Sequence, residues 1–217
     1  MMVLAGIFIN SWKNSAVMEN ESSDRSEFFS NVFDAFSSVL VMASSAIIAF
    51  TQVITFIMLD KSYHSGWIYI PLLTFSMIFF NYDSFFGSIY VAKKKSNLSF
   101  YTSVAGAVTN VGLNLWLINT SLGAMGAAIA TVASYFIVFI LRLISVKRIL
   151  PFDMKPVKLT ANFGVLIIQL VSIMTQHRFW IPVQVICLGA IVAINAGRIL
   201  KFAVNLLKKD HSVAKEQ

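Results

Sequence analysis

Apolar residues in this chain gather in long, nearly unbroken runs instead of the alternating or striped patterns of a water-soluble fold. A helix needs about 17 or more predominantly apolar residues to cross the hydrocarbon core of a bilayer. Six stretches meet that length: 35–59, 67–92, 101–118, 122–144, 159–175 and 179–197. The pattern predicts an all-α membrane protein of about six transmembrane helices in one membrane domain, 35–197. Ahead of it, 1–10 is apolar but too short to span, carries no preceding basic residue and has no small-residue cleavage site. It therefore reads as a surface-lying segment or as the tail of a helix, not as a signal peptide. Residues 11–34 are rich in Ser, Asn and charge and are expected to be a polar cytoplasmic loop. Behind the domain, 198–217 is a basic tail whose Ile199, Phe202, Ala203 and Leu206 oppose Lys201, Lys208 and Lys209, the layout of a short amphipathic helix in the headgroup layer.

Charge fixes orientation. Of the 17 Lys and Arg residues, 15 fall on one side of the alternating hairpins, in the segments around Lys13, Lys93, Arg142, Lys155 and Arg198, and only Lys61 and Arg178 on the other. The basic side of such hairpins stays in the cytoplasm, which places both termini there. Lys93, Lys94 and Lys95 form a topology signal that also meets anionic headgroups. Tyr63, Trp67, Trp116, Phe179 and Trp180 lie at outer ends, where aromatic anchors collect.

Composition then removes several classes. The 217 residues are 57% hydrophobic and only 12% charged, roughly half the charged share of a soluble domain. A net charge of +7 would suit nucleic acid, but the bases lie in loops between apolar runs, so no nucleic-acid partner is expected. Cys187 is a single cysteine within an apolar run, leaving no disulfide framework or zinc spacing. The histidines His64, His177 and His211 have no metal-ligand spacing, and no nucleophile elbow or phosphate-binding glycine loop occurs. No enzyme activity, metal or cofactor is expected.

Polar residues deep inside the runs are the candidates for function. Asp83 lies ten positions before Lys93, about 15 Å from the inner interface, where a carboxylate is costly and reads either as a functional group lining a polar cavity or as a protonated or hydrogen-bonded structural one. Asn110 and Asn114 share one face of the third run, and Gln169 lies at similar depth in the fifth, so these four residues could line a cavity. The bland reading of the amides is helix-to-helix glue. No run is expected to carry a deep Lys or Arg, since Arg142 is counted with the inner loop. In the fourth run Gly123, Gly126, Ala127 and Ala130 recur at three- and four-residue steps, a small-residue stripe for close packing.

FFSNVFDAF (28–36), YHSGWIYIPLL (63–73), SNLSFYTSVAGAVTNVGLNLWLI (96–118) and SLGAMGAAIATVASY (121–135) follow one another in an order that resembles the C-terminal half of bacterial polysaccharide flippases. These are the O-antigen and lipid-linked oligosaccharide translocases of the multidrug, oligosaccharidyl-lipid and polysaccharide exporter superfamily. The last two segments carry most of the resemblance: an Asn-rich helix, a short outer loop and a glycine–alanine helix. The resemblance implies two helical lobes around a central cavity that alternates between inward- and outward-open forms in the bacterial cytoplasmic (inner) membrane, moving a lipid-linked oligosaccharide for lipopolysaccharide or other surface polymers. It also exposes a departure, because family members are roughly twice this length. The six runs would correspond to the last six of fourteen, with the other lobe supplied by a missing segment or a second copy. A pyrophosphate-linked sugar would favour basic cavity residues, which would then have to come from that lobe. Two rival expectations stand beside this one. In a cation-coupled small-molecule exporter of the same superfamily, Asp83 would be a proton or sodium site. In a non-transporting truncated membrane protein, Asp83→Asn would be silent.

Overall fold

A computed structural model of the protein describes residues 25–213, with side chains for residues 26–197. The described residues form helices and turns without a strand. The elements are α1 (Arg25–Ala49), α2 (Thr51–Met58), a 3₁₀ segment (Lys61–Ile68), α3 (Ile70–Ala92), α4 (Ser96–Leu117), α5 (Ala124–Ile149), α6 (Pro156–Thr175) and α7 (Trp180–Val213). Four of them, over Ser26–Ala49, Ala124–Ile149, Pro156–Thr175 and Trp180–Gly197, are long and apolar enough to cross a membrane. The chain is thus a multi-pass membrane protein by length and composition. Segments 1–24 and 214–217, including the expected apolar stretch 1–10, lie outside the described residues.

Three boundaries differ from expectation. The supposed polar loop ending at residue 34 is helical from Arg25 onward, because Phe29, Val32 and Phe33 bury against the bundle and the buried acid of this stretch, Asp34, is paired. Lys155 and Lys158 of the α5–α6 connection and α6 each donate to its carboxylate at 2.7 Å. The first run is not one helix to residue 59. It breaks at Phe50, between α1 and α2, although backbone bonds Phe50 N–H to Ala46 and Ile54 N–H to Phe50 bridge the break. The basic tail is not a separate helix either: α7 continues unbroken through Val213.

Short connections fold consecutive long helices into antiparallel hairpins. Gly123 turns the α4–α5 connection at φ 48°, ψ −124°, a conformation that glycine adopts without a Cβ penalty. It serves that turn, not the packing stripe to which its spacing assigned it, and nothing lies within 4 Å of where its Cβ would stand. Gly126 does pack: a Cβ there would come within 2.8 Å of the Leu117 carbonyl, so the glycine lets the start of α5 close onto the end of α4. Ala130 is buried in the same helix and Ala127 half-buried. In the outer connection, Asp60 caps the 3₁₀ segment, and the Ser62 hydroxyl and N–H it accepts hold its carboxyl below the usual range.

The core sits on α3, which touches α1, α4, α5 and α6. Its aromatic residues mesh with those of its neighbours. Phe33 of α1 stands 5.5 Å from Tyr82 and 5.3 Å from Phe85, and Phe79 stacks 5.4 Å from Phe163 of α6. Lipid tails are as apolar as these rings, so dispersion and ring geometry hold the bundle more than exclusion from water. α7 closes the far side against α1 and α6, while α4 is peripheral and packs chiefly on α5.

Candidate functional site

The hairpin of α3 and α4 and the facing side of α5 line a half-open cavity of about 450 Å³ with both polar and apolar walls. Each helix contributes for a local reason. α3 is surrounded by protein, so it can carry Ser84, Asp83 and Asn81 without presenting them to hydrocarbon. α4 is two-faced: Phe100, Val104, Val108, Val111 and Leu115 point outward, while Ser99, Thr102, Ser103 and Asn110 turn toward its neighbours. α5 can approach because Gly106 of α4 leaves space for Val138, whose Cγ2 would stand 2.3 Å from a Cβ at that position.

Asp83 lies at the cavity wall, 4% exposed, and neither carboxylate oxygen has a hydrogen-bond partner among the described residues. Opposite it is Arg142, 7% exposed and inside α5. This corrects the expectation that no deep basic residue exists. The apolar run continues past Arg142 through Leu143, Ile144, Val146 and Ile149, and that continuation was the signal that could have placed it inside the helix. Its guanidinium makes hydrogen bonds through all three nitrogens. Nε donates to Thr102 Oγ1 at 3.0 Å, Nη1 to the main-chain carbonyl of Asp83 at 2.6 Å and Nη2 to Ser103 Oγ at 2.9 Å. Ser99 lies at 3.4 Å from Nη2, and Gly87 makes room, since a Cβ there would meet Nη1 at 3.2 Å. Arg142 thus ties α3, α4 and α5 together, yet it bonds the backbone of Asp83 and not its carboxylate.

The four residues singled out from the sequence separate. Asn110 lines the cavity and donates to Ser134 Oγ of α5 at 3.2 Å. Asn114, one turn on, donates to the Asn110 side chain at 3.1 Å and to its carbonyl at 2.9 Å, buttressing it. Gln169 is elsewhere: fully buried between α6 and α1, it exchanges bonds with Ser45 at 2.9 and 3.0 Å, and its carbonyl accepts from Gln184 of α7 at 2.8 Å. It is helix glue, as is the reciprocal Asn162–Asn195 pair between α6 and α7 that sequence reading passed over. Lys93 to Lys95 form the turn between α3 and α4, with Lys94 at φ 55°.

A second hollow of about 620 Å³, between α3, α5 and α6, is walled by Phe75, Phe79, Phe136 and Phe163 and suits only hydrocarbon. Among the described residues no group of His, Cys, Asp and Glu could hold a metal ion. Comparison of the chain with protein families, with curated proteins and with solved structures returns no match.

Proposed function

We propose that the protein is a membrane translocase, one lobe of a two-lobe transporter that moves lipid-linked oligosaccharide across the bacterial cytoplasmic membrane for surface polysaccharide synthesis. In this reading α3 and α4 also cross the membrane, making six crossings with α1 and α5 to α7. Their 23 and 22 residues amount to about 33–35 Å of helix, enough for the hydrocarbon core. The observation that carries the reading is the cavity that brings Asp83, Arg142 and Asn110 together between α3, α4 and α5. Ionisable groups at such depth mark solute pathways. The resemblance of 96–135 to polysaccharide flippases supplies the substrate class.

A photoreactive analogue of a lipid-linked oligosaccharide, added to membranes containing the protein, is expected to label peptides of α3, α4 and α5 and to be displaced by unlabelled substrate. Labelling confined to lipid-facing surfaces, or none, would sink the reading. The unpartnered carboxylate of Asp83 favours a second reading, a cation-coupled exporter of small molecules. That reading requires proton-driven drug accumulation in inverted vesicles, lost in Asp83→Asn.

A further inference from the structure

We infer that the apolar hollow between α3, α5 and α6 holds an acyl chain of an acidic phospholipid, drawn from the leaflet that meets the basic ends of α5 and α6, with Lys147 and Arg148 at its headgroup. This lipid site is separate from the α3–α4–α5 cavity and does not rest on the transport reading.

The hollow exists because two consecutive helices do not close on each other. α5 and α6 are joined by the connection 150–155, yet α5 packs on α3 and α4, α6 packs on α7 and α1, and the two barely touch. The seam between them is the opening of about 620 Å³, and Thr160 is the single polar residue lining it. Its inner wall is braced: the Phe79 ring stands 5.2 Å from Phe136, 5.5 Å from Phe139 and 5.4 Å from Phe163. Rings packed on one another in this way cannot swing in to fill the seam. An empty gap forfeits dispersion contacts on both walls, so hydrocarbon from the bilayer enters it. Along α5 the hollow runs from Ile129 to Leu143, about 21 Å, more than half the thickness of the hydrocarbon core and enough for one leaflet's acyl chain.

Charge selects the headgroup. Val132, Phe136, Phe139 and Leu143 line the hollow at three- and four-residue steps, and the next position of that stripe is Lys147. The facing stripe on α6 begins at Pro156, directly after Lys155. Lys155 and Lys158 are committed to Asp34, and Asp153 turns its carboxylate to the Lys155 N–H. The Lys147 and Arg148 side chains are exposed and make no hydrogen bond or ion pair among the described residues. The apolar seam thus ends at uncommitted positive charge, which complements a headgroup of net negative charge.

The test places the full chain in phosphatidylcholine vesicles that contain a trace of phosphatidylglycerol with a photoreactive group on one acyl chain. Crosslinks are expected on α5 and α6 peptides around Phe136 and Phe163, suppressed by excess unlabelled phosphatidylglycerol and not by further phosphatidylcholine. Lys147→Gln, at an exposed position, is expected to fold normally and to lower the labelling roughly fivefold, the loss of one headgroup charge contact. Ala133→Phe, which narrows the hollow without touching its charge, is expected to abolish it. Labelling spread equally over the outward face of α4, suppression by phosphatidylcholine as well, or unchanged labelling in Lys147→Gln would each overturn the inference. Suppression by a lipid-linked oligosaccharide but not by phosphatidylglycerol would also overturn it and give the hollow to the tail of that substrate.

Discussion

At the scale of single residues, two glycines within helices have opposite surroundings. Gly126 faces the Leu117 backbone, whereas a Cβ on Gly112 would meet nothing within 4 Å. The obstacle at Gly126 is main chain and cannot swing aside, so Gly126→Ala is expected to destabilise the protein by about 1–3 kcal/mol. Gly112→Ala is expected to be neutral or slightly stabilising, since alanine is the better helix former. Thermal unfolding in detergent by circular dichroism compares the two, and equal midpoints would refute the close approach. The stripe of small residues was legible in the sequence, but its spacing could not separate Gly126, which packs, from Gly123, which turns. That distinction depends on the φ of one residue and on the position of another helix.

Between elements, polar side chains divide into those that join helices and those left to face a cavity. Gln169 and Ser45 satisfy one another across α6 and α1, and Gln184 of α7 donates to the Gln169 main-chain carbonyl while its own Oε1 has no partner among the described residues. Gln169→Leu is expected to orphan the Ser45 hydroxyl and lower stability by about 1–2 kcal/mol, while photolabelling of α3, α4 and α5 by the oligosaccharide analogue stays unchanged. Paired unfolding and photolabelling measurements check this, and a loss of labelling in a folded variant would place Gln169 in the cavity's machinery. From sequence, Asn110 and Gln169 looked alike, both amides at mid-depth in an apolar run. Their roles diverge because Asn110 meets Ser134 beside an open space, whereas Gln169 meets Ser45, 124 residues away in the chain.

For the whole molecule the open point is whether the α3–α4 hairpin crosses the bilayer with the four strongly apolar helices. The polar residues of α3 are mostly buried, and Thr102, Thr109 and Asn114 of α4 return hydrogen bonds to their own helix, so its exposed face is mainly Phe100, Val104, Val108, Val111 and Leu115. Both helices are therefore expected to cross. Cysteines placed singly at Ser62 and Lys94, with Cys187 replaced by serine, should react with a membrane-impermeant maleimide from opposite sides of the membrane. Labelling of both from the same side would leave the hairpin on the surface and reduce the crossings to four.

Local composition by itself determined the solvent of this fold. Runs of apolar residues long enough to span, broken by basic segments, require helices in a bilayer because unpaired backbone groups have no water to turn to there. The hairpin order, and the depth of Asp83 and Asn110 within their runs, follow from counting along the chain. Only the tertiary structure decided which of the deep polar groups find partners. Arg142, assigned by charge to a loop, is drawn into the bundle by hydroxyls and a carbonyl some 39–59 residues away in sequence. The Asp83 carboxylate is left without a hydrogen-bond donor among the described residues, because Arg142 bonds its main-chain carbonyl instead. Such pairings depend on which faces of separate helices meet, and the apolar surfaces that bring the faces together are too uniform along the chain to specify the match.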